Sequence, residues 1–148
     1  MKNTVRKSFV VASLLVACSS VVNAEIIRIS DEVVVDTDKN LMWQDNHEAK
    51  TVKKNWQGAL DYCENLTFAG YSDWRLPNIV ELESIVDDTK YNQAIKIGFQ
   101  NVASDDYWSS SQIVSGSSHA WRGGFRNGND GFGHKSDSYL VRCVRDSK

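Results

Sequence analysis

One block near the middle of the chain reads Ala69-Gly70-Tyr71-Ser72-Asp73-Trp74-Arg75-Leu76-Pro77 and runs directly into Asn78. Glu81 follows Asn78 by three positions, which is the capping-box pattern of a helix N-terminus. Apolar residues then recur at helical spacing as far as Val86. The block therefore predicts a loop followed by a helix that begins after Asn78 and ends near Asp87-Asp88.

A second helix is predicted just upstream, over residues 55–67. Its apolar residues are separated by three or four positions, and they are Trp56, Ala59, Leu60, Cys63 and Leu66. This spacing places them on one face of an amphipathic helix. Cys63 is therefore expected to face the core.

The two ends of the domain have patterns typical of β-strands. Asp38-Lys39-Asn40 predicts a turn between two early strands, because Asn40 can adopt a positive φ. Strands before and after a pair of helices predict an α+β domain with short antiparallel strands, whose chain ends can lie side by side. The strands are expected at residues 26–29, 32–36, 41–43, 107–109, 120–125 and 139–144.

Length and composition indicate one globular domain. The chain has 148 residues, of which 41% are hydrophobic and 24% are charged, so it can bury a core and is not a disordered chain. The formal net charge is −2, and no nucleic-acid partner is expected from this balance. Residues 1–24 carry three positive charges and no negative one, so the remaining residues carry a net charge of −5.

The first 24 residues are expected to be an export signal. A basic start precedes an apolar run, and Val22-Asn23-Ala24 supplies the small residues that precede a cleavage site. The predicted organisation is a signal peptide at residues 1–24 and one domain at residues 25–148. No segment is both long and apolar enough to form a transmembrane helix.

A second interpretation of the N-terminus remains open. Leu15-Val16-Ala17-Cys18 resembles a bacterial lipobox, in which cleavage is coupled to lipidation of Cys18. The first interpretation predicts a periplasmic or secreted protein, and the second predicts a membrane-anchored lipoprotein. Both place the protein outside the cytoplasm.

Two cysteines, Cys63 and Cys143, remain in an exported chain. An oxidising compartment favours a disulfide between them. A metal site and a reactive thiol are the alternatives, but no Cys-x-x-Cys or His-Glu-x-x-His spacing supports a metal. No metal and no cofactor are expected, and no catalytic residues are assigned. His47, His119 and His134 are widely separated in the sequence.

The segment from Gln112 to Ser138 contains the candidate ligand-binding residues. It mixes aromatic, amide and charged side chains with glycines and serines, a composition that suits recognition of a polar ligand. The alternative is that Trp121 packs in the core and that the loops are only solvated. Strand alternation would then direct Arg122 away from Trp121, towards solvent or a ligand. The candidate residues are Trp121, Arg122, Arg126, Asn129 and Asp130.

Several blocks together resemble the Lcl C-terminal domain family, named after a bacterial collagen-like adhesin. Each block alone is weak, but their order is specific and covers about residues 36–145. The blocks are Leu41-Met42-Trp43-Gln44, the helix around Tyr62-Cys63, the Ala69 to Pro77 block with Glu81-Leu82, Tyr107-Trp108-Ser109-Ser110, and Val141-Arg142-Cys143-Val144-Arg145. The collagen-like stalk is absent, and Asn40 stands where many relatives have glycine.

The resemblance implies a C-type-lectin-like fold in an exported bacterial protein. In the adhesin, this domain is associated with binding sulfated polysaccharides, although fold membership alone does not transfer function. The interpretation is a non-enzymatic binding module that recognises a glycan or protein ligand at the cell envelope. The alternatives are an envelope enzyme acting on glycan or peptide, and a structural envelope component.

Overall fold

The structure is a computed structural model that describes residues 25–148, apart from the side chains at positions 116 and 117. The predicted export signal at residues 1–24 and the alternative lipidation at Cys18 both lie outside these residues. Within residues 25–148, no helix has the length and apolar character needed to cross a membrane.

The first sheet joins the two ends of the domain. Strands β1 (Ile26–Arg28), β2 (Val33–Asp36) and β3 (Leu41–Gln44) form an antiparallel meander, and the last strand, β9 (Val144–Asp146), pairs with β3. Asn40 has φ of 54° in the turn before β3, as its position predicted. The first and last strands therefore belong to one sheet, but β1 and β9 are its opposite edges and β2 and β3 lie between them. The expectation that the chain ends lie side by side is wrong, because β9 pairs with β3 and not with β1.

The second sheet has five strands in the order β4-β8-β5-β6-β7. Neighbouring strands are antiparallel except β5 and β8, which pair in parallel. β7 is consequently an edge strand that pairs with β6 alone. The strands are β4 (Lys53–Lys54), β5 (Asp106–Ile113), β6 (Gly116–Gly124), β7 (Asp130–His134) and β8 (Tyr139–Leu140).

Both predicted helices are present. Helix α1 (Trp56–Glu64) is capped by the Asn55 side chain, and α2 (Ile79–Ser84) begins with the full capping box of Asn78 and Glu81. A short 3₁₀ turn also occurs at His47–Lys50. The prediction of an α+β domain is confirmed.

Helix α2 ends earlier than predicted. It stops at Ser84 rather than near Asp87-Asp88. The Ile85 carbonyl accepts from the Lys96 amide at 2.9 Å, and the Asp87 amide donates to the Ala94 carbonyl at 3.2 Å. These long-range bonds replace the helical ones, because a backbone group that satisfies a distant partner cannot also continue the helix.

The predicted strand at residues 139–144 is divided between the two sheets. β8 belongs to the five-stranded sheet and β9 to the four-stranded sheet. Buried residues connect them, including Cys143, which forms a disulfide with Cys63 across 5.5 Å between the Cα atoms. The predicted disulfide is therefore present, and it ties α1 to the link between the sheets.

No strand was predicted between residues 125 and 139, and this prediction is wrong because β7 lies there. Residues 130–134 pair with β6 over five positions. Gly133 packs so closely against the Tyr139 ring that a Cβ there would lie 2.5 Å from a ring carbon, whereas a Cβ at Gly131 would make an ordinary contact with Arg122. Glycine lowers strand propensity, so the local pattern concealed a strand that packing requires.

Two groups of buried residues form the core. One lies between the first sheet, α2 and the second sheet, and the other surrounds α1 and the disulfide. Four of the five tryptophans are buried, namely Trp43, Trp56, Trp74 and Trp108. Trp121 is only half-buried.

Candidate functional site

The hairpin of β6 and β7 places three pairs of residues on one face. The pairs across the strands are His119 with His134, Trp121 with Phe132, and Gly123 with Asp130. Residues two apart on a strand share a face, so these six positions form one row. The row extends over about 14 Å, at roughly 3.4 Å per residue.

These three pairs are non-hydrogen-bonded pairs of the antiparallel ladder, in which the Cα atoms of opposite residues lie closest together. The Lys135 amide donates to the Ser118 carbonyl, and the Gly124 amide donates to the Asn129 carbonyl, each at 2.8 Å. Hydrogen-bonded and non-hydrogen-bonded pairs alternate along a ladder, so every second pair between these two bonds is non-hydrogen-bonded, namely 119 with 134, 121 with 132 and 123 with 130. Side chains approach most closely at such pairs.

Four rings form a continuous cluster along this row, which we call the aromatic strip (His119, Trp121, Phe132 and His134). Ring centroids are 5.2 Å apart for His119 and His134, 6.0 Å for His119 and Phe132, and 6.3 Å for Trp121 and Phe132, all with edge-to-face geometry. Phe132 is 59% exposed, His134 is exposed, and the other two are half-buried. The strip is a contiguous aromatic surface open to solvent.

A polar turn closes one end of the strip. Arg126, Asn127, Asn129 and Asp130 are exposed there, at the connection between β6 and β7. The Asn92 amide donates to the Arg126 carbonyl at 2.7 Å, which attaches the turn to the loop after α2. Amide, guanidinium and carboxylate groups thus stand beside exposed rings.

The structure brings together four of the five predicted ligand-binding residues. Trp121 and Asp130 share the face of the strip, and Arg126 and Asn129 lie in or beside the adjoining turn. Arg122 lies on the opposite face of β6, as strand alternation predicted. There it forms an ion pair with Asp106, and its guanidinium lies 5.2 Å from the centre of the Tyr139 ring.

Three residues of the strip were not predicted as ligand-binding, namely His119, Phe132 and His134. Phe132 stands between two glycines, so no local alternation marked it as a strand residue. The two histidines are far apart in sequence and are brought together only by the β6–β7 register. The sequence did offer one signal for this surface. Side chains alternate between the two faces of β6, and this alternation placed Trp121 on the face opposite Arg122.

Most cations late in the chain have partners within the fold. Arg142 pairs with Asp45 and Arg145 with Asp73, and Lys135 donates to the Gln112 side chain at 2.8 Å. A hydrogen bond from Arg145 holds the pKa of the Asp73 carboxyl below its usual value and so favours its charged form. Among the described residues, Arg126 is exposed and forms no ion pair.

A separate cleft of about 340 Å³ lies beside the first sheet. Its lining consists of four carboxylates, one lysine and two isoleucines: Glu25, Asp36, Asp38, Asp87, Lys96, Ile26 and Ile97. A hydrogen bond from Lys39 lowers the pKa of Asp38, and hydrogen bonds from Lys90 and Thr89 lower the pKa of Asp87 to about 2. A general acid needs a raised pKa, so neither carboxyl suits that role.

The Arg75 side chain forms a fork of hydrogen bonds to a partner on α2. It binds Glu81 with two bonds of 2.8 Å, and Glu81 also accepts from the Asn78 amide. The guanidinium is 41% exposed and therefore not buried. This fork attaches the central block of the sequence to the start of α2.

Fold and surface together define an α+β domain that presents an exposed aromatic strip on an edge hairpin. The Lcl C-terminal domain family model matches residues 32–145, so the chain belongs to this family, as its sequence blocks predicted. Membership supports an adhesin-like module of the bacterial cell envelope. A search of curated proteins finds no match.

Proposed function

We propose that this protein is a binding module of the bacterial cell envelope that recognises a neutral glycan on the aromatic strip. One observation carries the proposal: four rings form a continuous surface on one face of β6 and β7, and Phe132 at its centre is 59% exposed. An isolated exposed phenylalanine is ordinary, but a row of adjoining rings beside polar side chains is typical of a ligand surface.

The chemistry of the strip matches that of a sugar. The C–H faces of a pyranose are apolar and pack against aromatic rings, while its hydroxyl groups need donors and acceptors at the edge. Phe132 and Trp121 supply the rings. Asp130, Asn129 and Arg126 supply a carboxylate, an amide and a guanidinium at the adjoining turn.

Charge favours a neutral ligand over a sulfated one. The residues after position 24 carry a net charge of −5, and the paired arginines described above cannot neutralise a polyanion without losing their own carboxylates. Attraction by Arg126 alone acts within about 8 Å at physiological salt. Repulsion from the rest of the molecule opposes capture of a highly sulfated chain.

Family membership and the predicted export support an envelope location. A glycan at the cell surface or in the periplasm would be accessible to either predicted form, free or lipid-anchored. The C-type-lectin-like architecture that the family resemblance implies is part of this proposal, because the strip and its turn belong to the late segment that such domains commonly use for ligands.

The test is a glycan array followed by calorimetry on the best neutral ligand. Phe132→Ala should weaken binding by about tenfold or more, equivalent to about 1.4 kcal/mol, because its ring face is lost while the fold is retained. Trp121→Ala should weaken it similarly. Tyr91→Ala is the matched control, since Tyr91 is 64% exposed but lies outside the strip.

Two results would contradict the proposal. One is neutral-glycan binding that survives both strip substitutions unchanged. The other is equal loss in the Tyr91→Ala variant. Thermal unfolding of each variant, measured beforehand, separates lost contacts from lost structure.

A further inference from the structure

We propose that His119 and His134 form a binding site for a late first-row divalent transition metal, such as Cu²⁺, Ni²⁺ or Zn²⁺. This inference goes beyond glycan binding and does not rest on it. Imidazole nitrogen is a preferred ligand for these ions, and two imidazoles on one rigid element can bind a single ion.

The two histidines are held at one closely spaced pair of the β6–β7 ladder. Backbone bonds between Lys135 and Ser118, one residue along, define this pairing. In addition, the His134 amide donates to the Asp137 carboxylate at 3.2 Å instead of to β6, as expected at a non-hydrogen-bonded pair. The register therefore keeps both side chains on the same face and side by side.

The distance between the rings suits one shared ion. A metal lies about 2.0–2.1 Å from an imidazole nitrogen, hence about 3.2 Å from the ring centre, and two such rings at a tetrahedral angle have centres about 5.2 Å apart. The observed separation of the ring centroids is 5.2 Å. The planes are inclined at 79°, and the soft χ2 torsion of histidine allows the final alignment.

Serine hydroxyls engage the same nitrogen of each ring. Nδ1 of His119 lies 3.0 Å from the Ser118 hydroxyl, and Nδ1 of His134 lies 2.7 Å from the Ser136 hydroxyl. A hydrogen bond at one ring nitrogen orients the ring and directs the other nitrogen to a metal. The Ser136 amide also donates to Nδ1 of His134, at 3.3 Å. Binding of an ion at Nε2 of this ring therefore requires the ring proton to move to Nδ1, where the Ser136 hydroxyl can accept it.

The proposed site has two protein ligands, His119 and His134, and does not surround the ion completely. Within residues 25–148, no group of three or more His, Cys, Asp or Glu side chains is placed to hold a metal. An ion held by His119 and His134 would keep further positions for water or an external ligand, as open sites do. The hard cations Mg²⁺ and Ca²⁺ require oxygen ligands, so this pair selects against them.

The chain offers a matched control, because it has only three histidines. His47 is exposed and lies in the 3₁₀ turn at His47–Lys50, away from the hairpin. The experiment uses tag-free protein that lacks the export segment, titrated with NiCl₂ and CuCl₂ by calorimetry. Thermal unfolding with and without the metal is a second readout, since an ion bound to the native state raises the melting temperature.

We expect one ion per chain, tighter binding of Cu²⁺ than of Ni²⁺, and no displacement by excess Mg²⁺. His119→Ala and His134→Ala should each weaken binding by about tenfold or more and remove the metal-dependent rise in melting temperature. His47→Ala should change neither. His134 is exposed, so its variant is expected to fold, and its melting temperature without metal verifies this.

Three results would overturn the inference: no saturable binding, binding unaffected by His134→Ala, or binding lost in His47→Ala. Electron paramagnetic resonance of the Cu²⁺ complex provides an independent criterion. Coordination by two imidazole nitrogens supports the site, and coordination by one or none refutes it. None of these measurements uses a glycan, so failure here is distinct from failure of the proposed function.

Discussion

Arg142 donates to the Asp45 carboxylate at 2.9 Å, and the side chains of both residues are completely shielded from solvent. Asp45 also accepts from the amides of Gln100 and Asn101, at 2.8 and 3.1 Å. Arg142 lies in the short link between β8 and β9. This buried pair therefore joins the start of the domain, the long central loop and the crossing between the two sheets.

Asp45→Ala should destabilise the protein by about 3–5 kcal/mol, because it leaves the Arg142 guanidinium buried without its counter-charge. Urea unfolding measures the change. Lys39→Ala is the control, since Lys39 forms an exposed pair with Asp38 at 2.8 Å and its loss should change the stability very little. Similar losses of stability in the two variants would show that burial of the Arg142–Asp45 pair does not determine its contribution.

The Cys63–Cys143 disulfide closes a separation of 80 residues, and both cysteines are fully buried. Replacing both by Ala should lower the free energy of unfolding by about 2–5 kcal/mol, mainly because the unfolded chain gains freedom. Denaturant unfolding measures this loss. Mass spectrometry of unreduced protein from the native host should find the two peptides linked, and free thiols in most molecules would disprove the bond.

Arg122→Ala should affect stability and not binding of neutral glycans. Arg122 pairs with Asp106 and packs over Tyr139 on the face opposite the aromatic strip. Loss of this charge-assisted contact should cost about 1.5–3 kcal/mol. Thermal unfolding and calorimetry on the same variant separate the two effects, and a selective loss of glycan binding would place the ligand site on Arg122 instead.

The Tyr62 hydroxyl should titrate near pH 12. Burial raises its pKa to about 12, and its hydrogen bond of 2.7 Å to Glu48 contributes in the same direction. The folded state then holds this proton more tightly than the unfolded state, whose tyrosine pKa is about 10. The resulting stabilisation is complete below about pH 10 and is lost as the pH rises towards 12.

Absorbance titration of the phenolate tests this value. Burial also raises the pKa of Tyr107, so the assignment requires Tyr62→Phe, which should remove one late-titrating group. The same variant should lose less stability than the wild type between pH 10 and 12. An unchanged titration curve would show that Tyr62 is not the late-titrating residue.

Heparin-like polymers should bind weakly and elute at low salt. The net charge of −5 after position 24 opposes them, and Arg126 is an exposed cation in the turn beside the strip that forms no ion pair within residues 25–148. Arg126→Ala should abolish the residual retention on a heparin column and leave neutral-glycan binding largely intact. Retention that persists at high salt would show a polyanion site elsewhere.

Local signals in the sequence determined the elements that depend on near neighbours. The capping box of Asn78 and Glu81 identified the start of α2, and the spacing of Trp56, Ala59 and Cys63 identified α1 and its buried face. Asn40 identified the turn before β3. These features follow from hydrogen bonds and side-chain periods within a few residues, so the sequence alone was sufficient for them and for the family.

Only the tertiary structure decided which distant groups meet. The glycines of β7 weaken its local strand preference, and its existence depends on pairing with β6. That pairing, in turn, brings His119 beside His134 and Trp121 beside Phe132, while alternation along β6 directs Arg122 to Asp106 on the other face. The aromatic strip is a consequence of strand register, which is set by packing of the whole domain and not by neighbours in the sequence.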